Sequence, residues 1–294
     1  MVRGFRVKAY AKINWFLSVG GIMDKESSGR LQPRSVSNCK TFHEVRTFYQ
    51  LVDLYDEVVV RPSDELRVIM EGCDILENEN LVSKGLSFLQ EHVKLPAISI
   101  TIKKRIPLQA GLGGGSSDAG TVLWFLQSVL RLPVSMTAFL EIASVLGSDV
   151  PFFFMRIPSA LGSGRGDILQ PVAPLPPKIL VLAKPETGIR STDAYRRLDE
   201  AGGGTFLPFP SSFQKPHNDF DKVAPSESLL LMKRLRDAGA RNAHLCGSGS
   251  AVFGEFTSRE EAAQLVARLQ EEGVWAHQCQ TITSVAGVEW MDSF

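Results

Sequence analysis

Cysteine is scarce in this chain, with four residues in 294, at positions 39, 73, 246 and 279. No two form a CxxC and no His stands at zinc-finger spacing, which argues against a structural zinc site and a disulfide-stapled scaffold. The thiols read as reduced, the pattern expected of a cytoplasmic protein. Net charge is absent too. Lys+Arg and Asp+Glu are 32 each, so no bulk field ties the chain to nucleic acid or to a membrane surface. Long apolar runs are also missing. Val150–Met155 and Ile179–Ala183 are far too short to span a bilayer, and Met1–Arg6 leads into alternating residues instead of an apolar signal core. What remains is ordinary globular composition, 44% AVILMFWYC and 22% DEKR, enough for a full core without metal or disulfide. At roughly 150 residues per domain the length suits two domains or one large α/β domain. The expected division is 1–157 and 158–294.

Phe5–Gly20 alternates as one long strand. Val7, Ala9, Ala11, Ile13, Trp15, Leu17 and Val19 form a core face, and Lys8, Tyr10, Lys12, Asn14, Phe16 and Ser18 the other. Gly20–Thr41 has no periodicity and reads as a surface loop or hairpin extension. Strands are expected near Glu44–Leu51, Glu57–Arg61, Leu66–Glu71 and Ala97–Ile106, with Asn80 capping a helix between the last two. Apolar residues at helical spacing follow Ser117, and a further helix is expected over Ser135–Leu146, ended by Gly147. In the second half, Lys178–Ala183, His244–Cys246, Ala251–Phe256 and Ala276–Ile282 fit strands. Ser226–Ala238 and Arg259–Glu271 fit helices, and Ser191 or Thr192 could cap a short one through Tyr195. Gly202–Pro216 reads as a mobile loop. There is no internal repeat.

The strongest chemical signal lies between the expected strand Ala97–Ile106 and the next helix. Glycines at 111, 113, 114 and 115 are followed by Ser116 and Ser117. Glycine lets backbone N–H groups converge and lets a phosphate approach closely, and a helix start adds unpaired N–H groups with the positive dipole end. This is an anion cradle in prospect, though a flexible turn with capping serines would look similar. It is not a Walker loop, because no Lys lies inside it, and not a dinucleotide fingerprint, because position 116 is Ser. Lys12 and Asn14, two apart on a strand, share a face. That face is either a solvated edge or, since Tyr10 and Phe16 lie on it, a site. Asp149 precedes Val150-Pro151 and could simply cap a helix. His43 is a lone histidine, and Cys246-Gly-Ser-Gly-Ser250 is a second flexible turn.

Taken together and in order, these segments resemble the GHMP kinase superfamily, and within it the family of 4-diphosphocytidyl-2-C-methyl-D-erythritol kinases. The resemblance rests on Ala11-Lys-Ile-Asn-Trp-Phe-Leu17, Phe42-His-Glu44, Glu79-Asn-Leu81, Pro107–Asp118, Gly147-Ser-Asp-Val-Pro151, Asn218-Asp219 and Gly247–Phe253. It implies an α+β, two-lobed fold, with a ribosomal-protein-S5-like amino-terminal lobe and a ferredoxin-like carboxy-terminal lobe. It implies ATP with Mg²⁺ as co-substrate, no tightly bound prosthetic group, and phosphorylation of the 2-hydroxyl of 4-diphosphocytidyl-2-C-methyl-D-erythritol in the non-mevalonate route to isoprenoid precursors. Lys12 and Asp149 match the family's catalytic pair. Pro107, Leu108, Gln109, Ala110, Gly111, Leu112, Gly113, Gly114, Gly115, Ser116 and Ser117 match its ATP loop, with Ser117 as a metal contact. Asn14, Phe42, His43 and Tyr195 match substrate-binding positions. Asn80, Leu81 and Lys103 or Lys104 fall near the expected adenine. Partners are then small molecules, with no nucleic acid or membrane, and the chain is a monomer or homodimer. Two departures stand out: Gly20–Thr41 is longer than usual, and Phe42 replaces a common Tyr. The alternatives are another GHMP kinase, of homoserine or mevalonate type, and a non-catalytic nucleotide-binding member.

Overall fold

The computed structural model describes residues 4–24, 41–73 and 80–291. Two long antiparallel strands, β1 (Gly4–Asp24) and β2 (Thr41–Pro62), form its spine. They are followed by β3 (Arg67–Glu71), α1 (Leu81–Gln90), β4 (Ile98–Lys103) and α2 (Gly114–Trp124), which a π turn over Phe125–Val129 prolongs. Next come α3 (Met136–Leu146), α4 (Val150–Phe154), β5 (Ser159–Ser163), β6 (Ile168–Pro171), β7 (Ile179–Lys184) and α5 (Ser191–Glu200). The chain continues through β8 (His217–Asn218), a 3₁₀ turn at Asp219–Val223, α6 (Ser226–Asp237), β9 (Ala243–Leu245), β10 (Val252–Phe256), α7 (Arg259–Glu271), β11 (Trp275–Gln280) and β12 (Glu289–Met291).

The result is the expected α+β class, built on two sheets. The first runs β12-β1-β2-β4-β3, with β5 also on β2, β6 on β5 and β8 on β1. The second runs β11-β7-β10-β9. The first sheet therefore takes strands from both sides of residue 158. On it, α1, α2 and α3 cover a core that includes Ile100, Ile102, Leu89, Leu123, Phe125 and Phe139. Against the second sheet, Leu235 of α6 and Leu265 and Leu269 of α7 pack on Val181 and Ala183. Between the sheets, Ile13, Trp15 and Phe48 meet Leu180, Leu182 and Phe253. Each such buried side chain contributes roughly 1.5–3 kcal/mol.

Several local expectations need correction. The sequence suggests two strands where β2 is one, because β2 carries extra residues between Tyr55 and Leu51 opposite Ala11, and this bulge absorbs the break in alternation. The expected loop begins later than Gly20, since Ile22, Met23 and Asp24 still pair with β2. Positions 25–40 of that loop, with Cys39, and Glu79 of the motif before α1 lie outside the described residues. Helix α2 starts at Gly114, inside the glycine run and ahead of the expected start after Ser117. Helix α5 extends to Glu200, and neither Ser191 nor Thr192 caps it. Gly202–Pro216, expected to be mobile, is fastened by Trp15 Nε1 donating to the Phe213 carbonyl at 2.9 Å and by Phe213 packing on Phe48. The caps at Asn80 and Ser135 form as expected.

Two buried carboxylate clusters hold this frame. Asp56 and Asp118 both accept from Lys104 Nζ, at 2.5 and 2.6 Å. Burial, partly offset by Lys104 and reinforced by Asp56, pushes the Asp118 carboxyl up to about 7. Asp219 ties β1 to the 202–216 segment. It accepts from the Val19 and Thr205 backbone N–H groups, from the Ser18 and Thr205 hydroxyls, and faces His217 Nε2 at 3.1 Å. Burial alone would raise this carboxyl, but hydrogen bonds from His217, Thr205 and the Val19 backbone hold it below the usual carboxylate range.

Asp219→Ala should destabilise the protein by about 3 kcal/mol in urea denaturation, since several buried donors lose one charged acceptor. A depressed folded pKa gives stability that is present above the ordinary carboxylate value and lost as pH falls through it. The stability gap between wild type and Asp219→Asn should therefore be full at pH 7 and shrink below about pH 4.

Candidate active site

A cleft of about 460 Å³ opens where β1, the glycine-rich loop, α4, α5 and the turn after β9 converge. Strand β1 enters its floor covered on both faces, so the polar face anticipated from the alternation is buried. Lys12 is 4% exposed and Asn14 3% exposed. An ammonium so far from water needs fixed partners. Lys12 Nζ donates to Asn14 Oδ1 at 2.7 Å and lies 3.3 Å from Asp149 Oδ2. The Asn14 amide is itself oriented. Thr47 donates to the Phe16 carbonyl, so its hydroxyl oxygen accepts from Asn14 Nδ2 at 2.7 Å, which turns Oδ1 towards Lys12.

Asp149 immediately precedes α4, and its side chain makes no capping hydrogen bond there. The simple cap reading fails. The carboxylate points to Lys12 and accepts from the Tyr49 hydroxyl at 3.0 Å through Oδ1. Burial first, and then the Asp149 charge, raise the Tyr49 pKa well above its ordinary value, so Tyr49 remains a donor. Its ring stacks on Phe152 at 4.9 Å and lies under Lys12 Nζ at 5.7 Å. Tyr49 and Thr47 were missed in the sequence. Their signal was a polar residue inside the apolar run of β2, which also fits an ordinary half-buried strand.

The glycine-rich loop forms one wall. Every residue from Pro107 to Ser116 lines the cleft. Because α2 begins at Gly114, its first unpaired N–H groups belong to the glycines and Ser116, while Ser117 N already donates to the Gly113 carbonyl. The loop is tied to β1 by Lys12 N donating to the Leu112 carbonyl, and to the second half by Ala251 N donating to the Ala110 carbonyl. At Gly111, φ is +74°, and a Cβ would lie 1.8 Å from the Cys246 carbonyl oxygen, so the two glycine turns interlock there. The second turn comes as close to the catalytic side: a Cβ on Gly247 would stand 3.1 Å from Lys12 Nζ. Asn218 holds it by donating to the Leu245 and Gly247 carbonyls.

Some expected residues lie elsewhere. Ser117, anticipated as a metal contact, is fully buried and donates to the Tyr10 carbonyl behind the loop, so it does not face the cleft. Phe42 is not part of the cleft lining, as adjacent residues of β2 point to opposite faces. His43 does reach the neighbourhood. It stacks on Tyr195 at 4.7 Å and lies 2.8 Å from Asp199 Oδ1. Tyr195, with Phe220, Leu17 and Val45, makes an apolar end of the cleft. At the other end stand Leu81, Pro107 and Leu108, whereas Asn80 is used as the α1 cap and Lys103 pairs with Glu57 at the surface. Arg165, not anticipated, lines the wall, with its guanidinium held by Asp167 and the Ser144 carbonyl. Among the described residues, the charged groups at the cleft are Lys12, Arg165, Asp149 and, at the base of the loop, Lys104, whose charge is taken up by Asp56 and Asp118. Among the described residues, no group of three or more His, Cys, Asp or Glu is placed to hold a metal ion. No helix there is long and apolar enough to cross a membrane.

Comparison with known proteins agrees with this geometry. The GHMP kinases N terminal domain matches residues 80–156, and the GHMP kinases C terminal domain matches 217–274. The 4-diphosphocytidyl-2-C-methyl-D-erythritol kinase of Thermodesulfovibrio yellowstonii is 31% identical over 94% of this chain and 97% of its own length. That of Moorella thermoacetica is 33% identical over 90% of this chain and 94% of its own. A crystal structure of a 4-(cytidine 5'-diphospho)-2C-methyl-D-erythritol kinase superposes with a TM-score of 0.76 at 29% identity, covering 96% of this chain and all of that one. A homoserine kinase from Cytophaga hutchinsonii, 17% identical with a TM-score of 0.61, shares the fold. With its buried Lys12–Asp149 pair facing a glycine-rich helix start, the chain belongs to the 4-diphosphocytidyl-2-C-methyl-D-erythritol kinase family of the GHMP kinases.

Proposed function

We propose that this enzyme transfers the γ-phosphoryl group of ATP to the 2-hydroxyl of 4-diphosphocytidyl-2-C-methyl-D-erythritol, a step of the non-mevalonate route to isoprenoid precursors. The observation that carries the reading is the Lys12–Asp149 pair, 3.3 Å apart, set against the N-terminal end of α2. In a loose phosphoryl-transfer transition state the protein mainly positions groups and stabilises charge. The N–H groups from Gly111 to Ser116 receive the phosphates, and the helix dipole favours them. Asp149 accepts the proton of the attacking hydroxyl as the new O–P bond forms and the bond from the γ-phosphorus to the β-phosphate oxygen breaks, releasing ADP. Lys12 stands beside the oxygen that gains charge. Tyr49 engages one oxygen of Asp149, which leaves the other towards Lys12 and the incoming hydroxyl. Mg²⁺ bound to the nucleotide would shield the phosphate charge. Among the described lining residues Asp149 is the carboxylate that could reach a metal carried by the nucleotide.

Substrate recognition is assigned to the opposite end of the cleft. Tyr195 lines this end and would present its ring to a pyrimidine, and His43, itself outside the cleft lining, stacks on Tyr195 and pairs with Asp199 to hold that ring in place. Arg165 adds a fixed positive charge that suits a diphosphate. Homoserine and mevalonate have no aromatic base to stack, so the ring surface is the feature that separates the cytidine substrate from them.

The deciding assay is ATP consumption with Mg²⁺ and three alcohols: the cytidine substrate, homoserine and mevalonate. Turnover with the first alone is expected; equal turnover with mevalonate would move the substrate assignment. Lys12→Ala and Asp149→Asn should each lower kcat by about 10²–10⁴ with the fold intact by circular dichroism. Tyr49→Phe keeps the ring stack and loses one hydrogen bond to Asp149, so kcat should drop about tenfold with KM nearly constant. For His43→Ala the expected change is a raised KM for the cytidine substrate and an unaltered KM for ATP. A collapse of kcat without a KM change would contradict its recognition role.

A further inference from the structure

The glycine-rich loop contains no lysine, yet a nearly buried ammonium lies beside it at the margin of the cleft. Lys104 stands at the end of β4, three residues before Pro107, and its side chain is 3% exposed. Two of its three N–H donors go to Asp56 and Asp118. These carboxylates outweigh the burial that would otherwise lower its pKa, and raise it. Its position beside the loop is defined independently, because a Cβ on Gly114, the first residue of α2, would lie 3.2 Å from Lys104 Nζ. A cation next to a helix N-terminus is unfavourable by itself. It is held there by the two acids, each of which belongs to a different element: Asp56 to β2 and Asp118 to α2.

The connections bracket the loop. Asp56 Oδ1 accepts from the backbone N–H groups of Arg105 and Ile106, at 2.5 and 2.8 Å, where the chain leaves β4. Lys104 N donates to the Glu71 carbonyl of β3. Asp118 sits just beyond Ser117, at the far end of the loop. One buried ammonium therefore joins both ends of the segment whose N–H groups face the cleft.

We propose that Lys104, acting through Asp56 and Asp118, is a positioning residue for the nucleotide, fixing the start of the loop against the first turn of α2 and so the spacing of the N–H groups that receive the phosphates. This rests on the ATP reading of the loop. It separates Lys104 from Lys12, which faces the reacting oxygen, and it assigns the cluster an effect on nucleotide affinity beyond its contribution to stability.

The test combines calorimetric titration of a non-hydrolysable ATP analogue with steady-state kinetics on Lys104→Met and Asp118→Asn. For Lys104→Met the affinity for the analogue and the KM for ATP should worsen by about tenfold or more, the KM for the cytidine substrate should move by less than about twofold, and kcat should fall less than affinity does. Asp118→Asn, which keeps size and one acceptor, should give a smaller shift in the same direction. If Lys104→Met does not fold, Asp118→Asn decides by the same comparison of the two KM values. Unchanged ATP affinity in a folded variant, or equal shifts in both KM values, would overturn the positioning role. Wild-type protein that binds no analogue would overturn the ATP reading and this proposal with it. Wild-type binding that the variants leave unshifted overturns the positioning role alone.

Discussion

Removing a lysine ammonium from water is costly unless fixed charges and dipoles replace the lost hydration, and the centre of this molecule is organised around meeting that requirement for Lys12. Its Nζ is served by Asn14 from the same strand and by Asp149 from the start of α4. Each of these partners is held in turn, Asn14 by Thr47 of β2 and Asp149 by Tyr49 of the same strand. The length of β1 and β2 follows from this arrangement. A strand that carries Lys12 to the cleft floor must be sheathed on both faces, and the interleaving of Trp15 with Phe253 and of Phe48 with Phe213 does the sheathing. The reacting pair is thus a product of tertiary closure, in which elements more than 100 residues apart meet at one nitrogen.

The two glycine turns depend on each other in the same sense. Gly111 leaves room for the Cys246 carbonyl, and Gly247 leaves room for Lys12. A side chain at either position would separate the loop from the turn and open the space in which phosphates are held. Asn218 fixes the second turn by taking the Leu245 and Gly247 carbonyls, while its neighbour Asp219 gathers β1 and the 202–216 segment. The Asn218-Asp219 dipeptide, one of the segments on which the family resemblance rests, therefore serves as the pin between β1 and the turn after β9. Its aspartate is stabilised as an anion by fixed donors, which gives that pin an acid limit.

How much of this was legible in the chain differs by type of signal. Periodic signals were readable: α1, α3, α6 and α7 lie where apolar spacing and caps put them, since those helices satisfy their own backbone and need only one buried face. The shared face of Lys12 and Asn14 was also readable, because strand alternation is local geometry. Three things were not. The continuity of β2 was hidden by a bulge that shifts the alternation midway. The start of α2 inside the glycines was hidden because glycine is a poor helix former, a preference overridden here where Gly114 packs closely on Ile106. The orientation of Asp149 was hidden because a residue before Val-Pro has the same local pattern whether or not it caps. In each case long-range packing decided between local readings of similar merit.

The cluster at Lys104 extends the same logic to a group the sequence placed near the adenine. Lys103 ends β4 and Lys104 follows it directly, and the two adjacent side chains point to opposite sides. The structure turns Lys104 towards Asp56 and Asp118 and leaves Lys103 at the surface with Glu57. An inward lysine at the end of this strand is tolerated only because two elements each supply a carboxylate, and two buried carboxylates are tolerated only because the lysine lies between them. Neither half is stable alone. That mutual dependence makes β2, β4 and α2 close together at the loop, so the distance across the phosphate cradle is set by charge pairing behind it and not by the glycines, which have no side chains with which to set it.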